Sequence, residues 1–141
     1  MSRLNVLPCL DSEQMAAARR RELDIPYDAA AALGRSAVEA ADAGFYVTED
    51  SQRVVLREAV QAACAAKLSI CGDAVLPENE RIVFRETTVQ VTNETTLGAS
   101  HRVVESGSCP LALNFANGIQ PGGGFLKGAR AQEEVLCRSS A

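Results

Sequence analysis

A single histidine, His101, serves the whole chain. No serine or cysteine stands with it in a recognisable triad context, which argues against hydrolysis through an activated side-chain nucleophile. Four positions after Leu97 and three before Val104, His101 falls on the apolar face of a helical stretch and is expected to be a satisfied core residue. Cysteine is present but unpaired: Cys9, Cys64, Cys71, Cys109 and Cys137 are an odd number, and none forms the C-x-x-C spacing of a zinc or redox site. Reduced, mostly buried thiols of an intracellular protein are the expectation. The glycines make no G-x-G-x-x-G and no G-K-[ST] follows them, which weakens dinucleotide-dehydrogenase and P-loop assignments. No apolar run approaches the length of a membrane span, and the opening stretch MSRLNVLPCLDSEQM lacks the unbroken apolar core of a secretory signal, so a cytoplasmic or nuclear location is expected. Basic residues are outnumbered 14 to 18, giving a net charge of −4 and a pI near 5.0. Direct DNA binding through broad phosphate neutralisation is therefore not expected, and a polyanionic ligand would have to be gripped locally.

What is there suits one domain: 141 residues, 47% of them hydrophobic, are enough for a core and too few for a second domain. Residues 1–10 read as a loosely held terminus. Residues 11–22 have high helix propensity, with Asp11 or Ser12 as cap and acids preceding bases along the axis. Arg19, Arg20 and Arg21 are either a phosphate clamp or, the reading favoured here, a solvated helix end. Pro26 interrupts the pattern, and an alanine-rich helix is predicted over residues 28–43, stopped by Gly44. Two short strands around a polar turn are predicted over residues 45–55, then a helix over 56–68.

The second half is organised as a predicted βαβ unit. Residues 88–91 are a β-branched strand, Asn93, Glu94 and Thr95 supply capping chemistry, and Leu97, His101 and Val104 mark one helical face ended by Gly107. Residues 111–115 read as the next strand, joined by a right-handed parallel crossover. Open α/β folds place ligands at the carboxyl edge of such strands. At that edge come Asn114–Phe115–Ala116–Asn117, then the triglycine Gly122, Gly123 and Gly124, and, after seven further residues, Gln132, Glu133 and Glu134 opening a helix. Consecutive glycines let a ligand approach the main chain with no Cβ in the way, and N–H groups of such a turn beside a helix N-terminus suit phosphate or sugar oxygens. Taken singly, a triglycine is a flexible loop and paired glutamates are partners of the helix dipole; jointly, at this spacing, they are far more specific.

NFAN, then GGG, seven residues and QEE, flanked by GF, GA and LCRSS, resembles the microbial type of poly(ADP-ribose) glycohydrolases, whose catalytic domain is a variant of the ADP-ribose-binding macrodomain. Upstream the resemblance continues collinearly through VTNETTL and GFYVTED. It implies an α/β fold, a macrodomain-like three-layer α/β/α with a mixed sheet, and a helical N-terminal extension. Residues 1–75 would be an accessory helical and hairpin region, and residues 76–141 the first part of the catalytic core, incomplete at its C-terminal end because family members continue with further strands, a second phosphate-contacting loop and a stacking aromatic. By resemblance, Glu134 is the general acid that protonates the leaving ribose hydroxyl and then activates water, and Glu133 holds ribose hydroxyls. Asn117 bonds the terminal ribose, Gly122, Gly123 and Gly124 wrap the diphosphate and terminal ribose through their main-chain N–H groups, and Gln132 orients the loop. Cys137, one turn beyond Glu134, either lines the pocket or packs, and packing is favoured. No metal or organic cofactor is implied. The partner is poly(ADP-ribose) or ADP-ribose, and the alternative is a non-catalytic or vestigial ADP-ribose-binding module that a partner chain completes. If the reading frame continues past Ala141 the chain is expected to be a piece of a conventional hydrolase; if it stops there, weak or no activity is expected of the isolated chain.

Overall fold

Hydrogen-bonding and capping residues set the ends of most elements in the computed structural model of the protein, which is described here over residues 3–75 and 84–140. The Ser12 hydroxyl accepts the Met15 N–H at 3.1 Å and opens helix α1, Glu13–Leu23. Helix α2, Tyr27–Ala43, follows Pro26 and ends at Gly44, whose φ of 77° is left-handed and whose N–H donates to the Ala40 carbonyl at 2.9 Å. The Gly44 carbonyl in turn accepts from Leu56 and Arg57, which closes the antiparallel hairpin of β2, Phe45–Val47, and β3, Arg53–Val55, onto the end of α2. Helix α3 runs Arg57–Ala66, within the predicted stretch. Thr95 caps α4, Thr96–Glu105, by accepting the Gly98 N–H at 3.0 Å, and the chain turns away at Gly107 with φ 81°.

The segment 1–10, expected to be loose, is held from Arg3 onward; residues 1 and 2 lie outside the described residues. Strand β1, Arg3–Val6, pairs in parallel with β4, Glu86–Val89, in the register Arg3 to Glu86 and Val6 to Val89. A single parallel bridge from Leu10 to Thr92 and an Asn93 side-chain bond to Asp11 at 2.8 Å prolong the contact. The partner that satisfies the peptides of residues 3–10 lies some eighty residues away, a pairing that no local pattern announces.

Residues 111–115, predicted as the second strand of a βαβ crossover, form no strand. Instead the Phe115 N–H donates to Gln132 Oε1 and the Leu113 carbonyl accepts from Gln132 Nε2, both at 2.7 Å. A side chain has taken the bonds that a neighbouring strand would make, and Leu111, Leu113 and Phe115 remain exposed.

Packing concentrates where α2 meets α5, Gln132–Ser139, and the 3₁₀ turn Phe125–Lys127 between them. Ala30, Ala31 and Gly34 give α2 a buried stripe of small residues, and at Gly34 a Cβ would lie 2.9 Å from the Phe125 carbonyl oxygen. Among the described residues the buried apolar side chains are Ala30 and Ala31, and the buried polar ones are Glu133, Glu134 and Arg138. Two expectations about burial are corrected by this distribution. His101 is exposed, its Nδ1 3.4 Å from Glu105 Oε2, because α4 buries no residue among those described. All five cysteines are free thiols, and four of them are exposed, Cys137 alone being half-buried, because the helices and loops that carry the others present those positions to solvent.

Candidate functional site

The segment from Asn117 to Glu134 is closed on itself by carboxylates accepting main-chain N–H groups. The Asn117 side-chain oxygen accepts from the N–H groups of Ile119 (2.9 Å) and Gln120 (3.0 Å), an Asx-type turn that starts the loop. Glu133 Oε2 then accepts the Asn117 N–H, and Glu133 Oε1 accepts the Gly122 N–H, each at 2.8 Å. The neighbouring Glu134 Oε1 accepts the Gly124 N–H at 3.0 Å. Glycine is required at the centre: Gly123 has φ 53°, and a Cβ there would run into Glu134 Oε1. Within the loop the Gly123 N–H donates to the Gln120 carbonyl at 2.9 Å, so all three glycine N–H groups have acceptors inside the protein. What this loop offers a ligand is close approach to its Cβ-free surface.

Both glutamates are buried, at 5% and 8% exposure. They differ in how they are satisfied: both oxygens of Glu133 hold main-chain donors, whereas Glu134 Oε2 is buried with no hydrogen-bond partner. A buried carboxylate oxygen left this way is costly, and such an atom marks a place where a further donor belongs. Gln132, the first residue of the triplet, faces the other way, onto Phe115, Leu113 and the Thr96 hydroxyl at 3.2 Å. It ties α5 to residues 113–115 and to the first turn of α4. The cleft of about 380 Å³ bounded by Thr92, Thr96, Leu113, Phe115 and Gln132 reaches Gln132 and neither glutamate.

Cys137 sits one helical turn beyond Glu133 and Glu134, with its sulfur 3.6 Å from where a Cβ on Gly122 would be. Burial pushes its thiol up from the ordinary value, and the charges of Glu133 and Glu134 add to this. The thiol form is thus favoured, and Cys137 packs against the loop as an apolar group. Arg19, Arg20 and Arg21 stand on α1, where Arg19 pairs with Glu22 and the other two are exposed. Among the described residues no cluster of three or more His, Cys, Asp or Glu could hold a metal ion, and no helix is long and apolar enough to cross a membrane.

Three contributors escape a reading of the sequence. Arg138 is buried and donates from Nη1 to the Ala129 carbonyl at 3.0 Å, bracing the connection that precedes α5. Arg130 docks that connection on the turn between α1 and α2. Gly34 lets α2 approach Phe125. The position of Arg138, four residues after Glu134 on one face of α5, was the available signal for the first; nothing local announced the others.

Compared with known families, residues 34–141 match the family model described as Microbial-type PARG, catalytic domain. No curated protein and no solved structure matches the chain.

Proposed function

The chain belongs to the microbial-type PARG catalytic-domain family, and from that membership we propose that it hydrolyses the ribose–ribose O-glycosidic bonds of poly(ADP-ribose), the substrate on which the family acts, with Glu134 as general acid and base. The observation that carries the assignment is the unequal satisfaction of the two carboxylates. Glu134 is fixed through Oε1 by the Gly124 N–H and keeps Oε2 buried and unpaired beside a loop with no Cβ at its centre.

Cleavage of such a bond needs a proton for the departing oxygen and support for an oxocarbenium-like centre. Glu134 Oε2 delivers the proton to the ribose hydroxyl as the glycosidic C–O bond breaks, then takes one from the water that attacks the anomeric carbon. Holding Oε1 on a main-chain donor orients the carboxyl group for both steps. Glu133 keeps Asn117 and Gly122 in register, and the second lone pair on each of its oxygens accepts a ribose hydroxyl. Asn117 presents its side-chain Nδ2 to a ribose oxygen while its Oδ1 holds the turn. Gly122, Gly123 and Gly124 let the sugar and diphosphate lie against bare main chain, and Gln132 fixes the orientation of the whole motif. The fold we assign is macrodomain-like, three-layered α/β/α; the five helices and two small sheets among the described residues are compatible with α/β.

Glu134→Gln tests the assignment. Turnover of poly(ADP-ribose) is expected to be lost while calorimetric titration with ADP-ribose still shows binding. Binding without turnover in the unsubstituted chain supports an ADP-ribose-binding module instead, and turnover retained by the variant overturns the role given to Glu134.

A further inference from the structure

We propose that Arg130 is a positioning residue for the acidic pair, acting through the turn between α1 and α2; its placement in a reaction rests on the function proposed above, but its effect on the loop does not. Residues 125–131 connect Gly124 to Gln132, and both ends of this connection are tied to the site: Gly124 to Glu134, Gln132 to Phe115. If the connection shifts, the Gly124 N–H and the Glu134 carboxylate no longer meet.

Arg130 prevents the shift by gripping one turn in three ways. Its Nη1 donates to Asp24 Oδ1 and to the Ile25 carbonyl, each at 2.9 Å, and its guanidinium lies 4.8 Å from the centroid of the Tyr27 ring. Two residues earlier, Gly128 has φ 88° and sits so close under Tyr27 that a Cβ would run into the Tyr27 carbonyl oxygen. Asp24, Ile25 and Tyr27 all precede residue 34, where the family match begins. The anchor therefore lies outside the matched segment, while the connection it holds lies inside.

The Asp24 side chain is 81% exposed, so this ion pair adds little to global stability. Its consequence is geometric. Arg130→Met is expected to leave the chain folded and to speed amide hydrogen exchange at Gly122 and Gly124 by about tenfold, the weight of one lost hydrogen bond to a charged group. Exchange in α4 and in the β2–β3 hairpin should stay as it is. Arg130→Lys, which keeps a charge but not the planar fork, should restore part of the protection. Tyr27→Leu and Asp24→Ala approach the same contact from the anchor side and should reproduce the local loss; they decide the matter if Arg130→Met does not fold. Exchange at Gly122 and Gly124 that is unchanged, or raised equally throughout the chain, overturns the proposal. Poly(ADP-ribose) turnover measured on the same samples separates the two claims. An unsubstituted chain that neither binds ADP-ribose nor turns over polymer sinks the glycohydrolase assignment, while the exchange result still decides the role of Arg130.

Discussion

The side-chain amide of Gln132 stands beside Phe115 where the peptide of a neighbouring strand would stand. Its Oε1 accepts the Phe115 N–H and its Nε2 donates to Leu113, two residues earlier, both at 2.7 Å. Because Gln132 also opens α5, the residue that holds this segment is joined directly to the two buried glutamates.

Gln132→Met should remove both of these bonds, and the longer one to the Thr96 hydroxyl, while keeping the length of the side chain. The freed groups of Leu113 and Phe115 lie in exposed residues and can turn to water, so the expected loss is about 1 kcal/mol for the pair. Gln132→Glu keeps an acceptor for Phe115 but sets a carboxylate against the Leu113 carbonyl, and should be no better. Urea unfolding followed by circular dichroism measures this; midpoints unchanged in both variants would show that the amide does not hold the segment.

Glu133 and Glu134 should respond unequally to the same isosteric change. In Glu133→Gln one of two main-chain donors, Asn117 or Gly122, must face an NH₂ group, so a loss of about 1.5–3 kcal/mol is expected. In Glu134→Gln the amide oxygen can keep the Gly124 N–H while the NH₂ takes the place of the unpaired oxygen, and stability should change by less than about 0.5 kcal/mol. Denaturation of the two variants side by side gives the comparison, and equal losses would refute the difference in their roles.

Acid should weaken the junction between β4 and α4. Hydrogen bonds from Arg102, and after it from Thr92, hold the Glu94 carboxyl below its ordinary value of 4.5. A carboxyl whose pKa is lower folded than unfolded contributes stability that is present above the unfolded value and lost as pH falls through the folded one. Arg102 is half exposed, so the effect is screened and modest. Urea midpoints taken from pH 7 to pH 3 should fall less steeply in Arg102→Met than in the unsubstituted chain. Parallel curves would mean that the pair is not linked to folding.

Cys137 should be the slowest thiol in the chain to alkylate. Burial first, and then the charges of Glu133 and Glu134, favour its protonated form, whereas Cys64 and Cys71 are exposed. Iodoacetamide labelling at pH 8, read peptide by peptide by mass spectrometry, should modify Cys137 last, and Glu134→Gln should quicken it. Labelling of Cys137 at the rate of Cys64 would place its thiol in solvent.

Much of this molecule was legible because its determinants are neighbours in the chain. Ser12 and Thr95 cap the helices that follow them, Gly44 stops α2, and the hairpin of residues 45–55 comes with its own polar turn. The candidate motif was legible for the same reason: Asn117, the triglycine and the two glutamates lie within eighteen residues, and the loop they close is bonded within itself. Residues 111–115 misled because large apolar side chains at Leu111, Leu113 and Phe115 describe a segment able to pair, while pairing itself depends on what lies alongside. His101 misled similarly, since an apolar helical face is buried only where another element covers it.

By itself the sequence determined where helices begin and end, which residues can adopt left-handed backbone, and which short stretch carries the acids. These follow from dihedral preferences and from bonds between residues a few positions apart. Only the tertiary structure decided that Arg3–Val6 pairs with Glu86–Val89, that Arg130 reaches back to Asp24, and that of two adjacent glutamates one has both oxygens bonded and the other keeps one bare. Each is a meeting of groups distant along the chain or a matter of which way a side chain turns, and it is the packing of α2 against α5 and the glycine loop that brings about the last two.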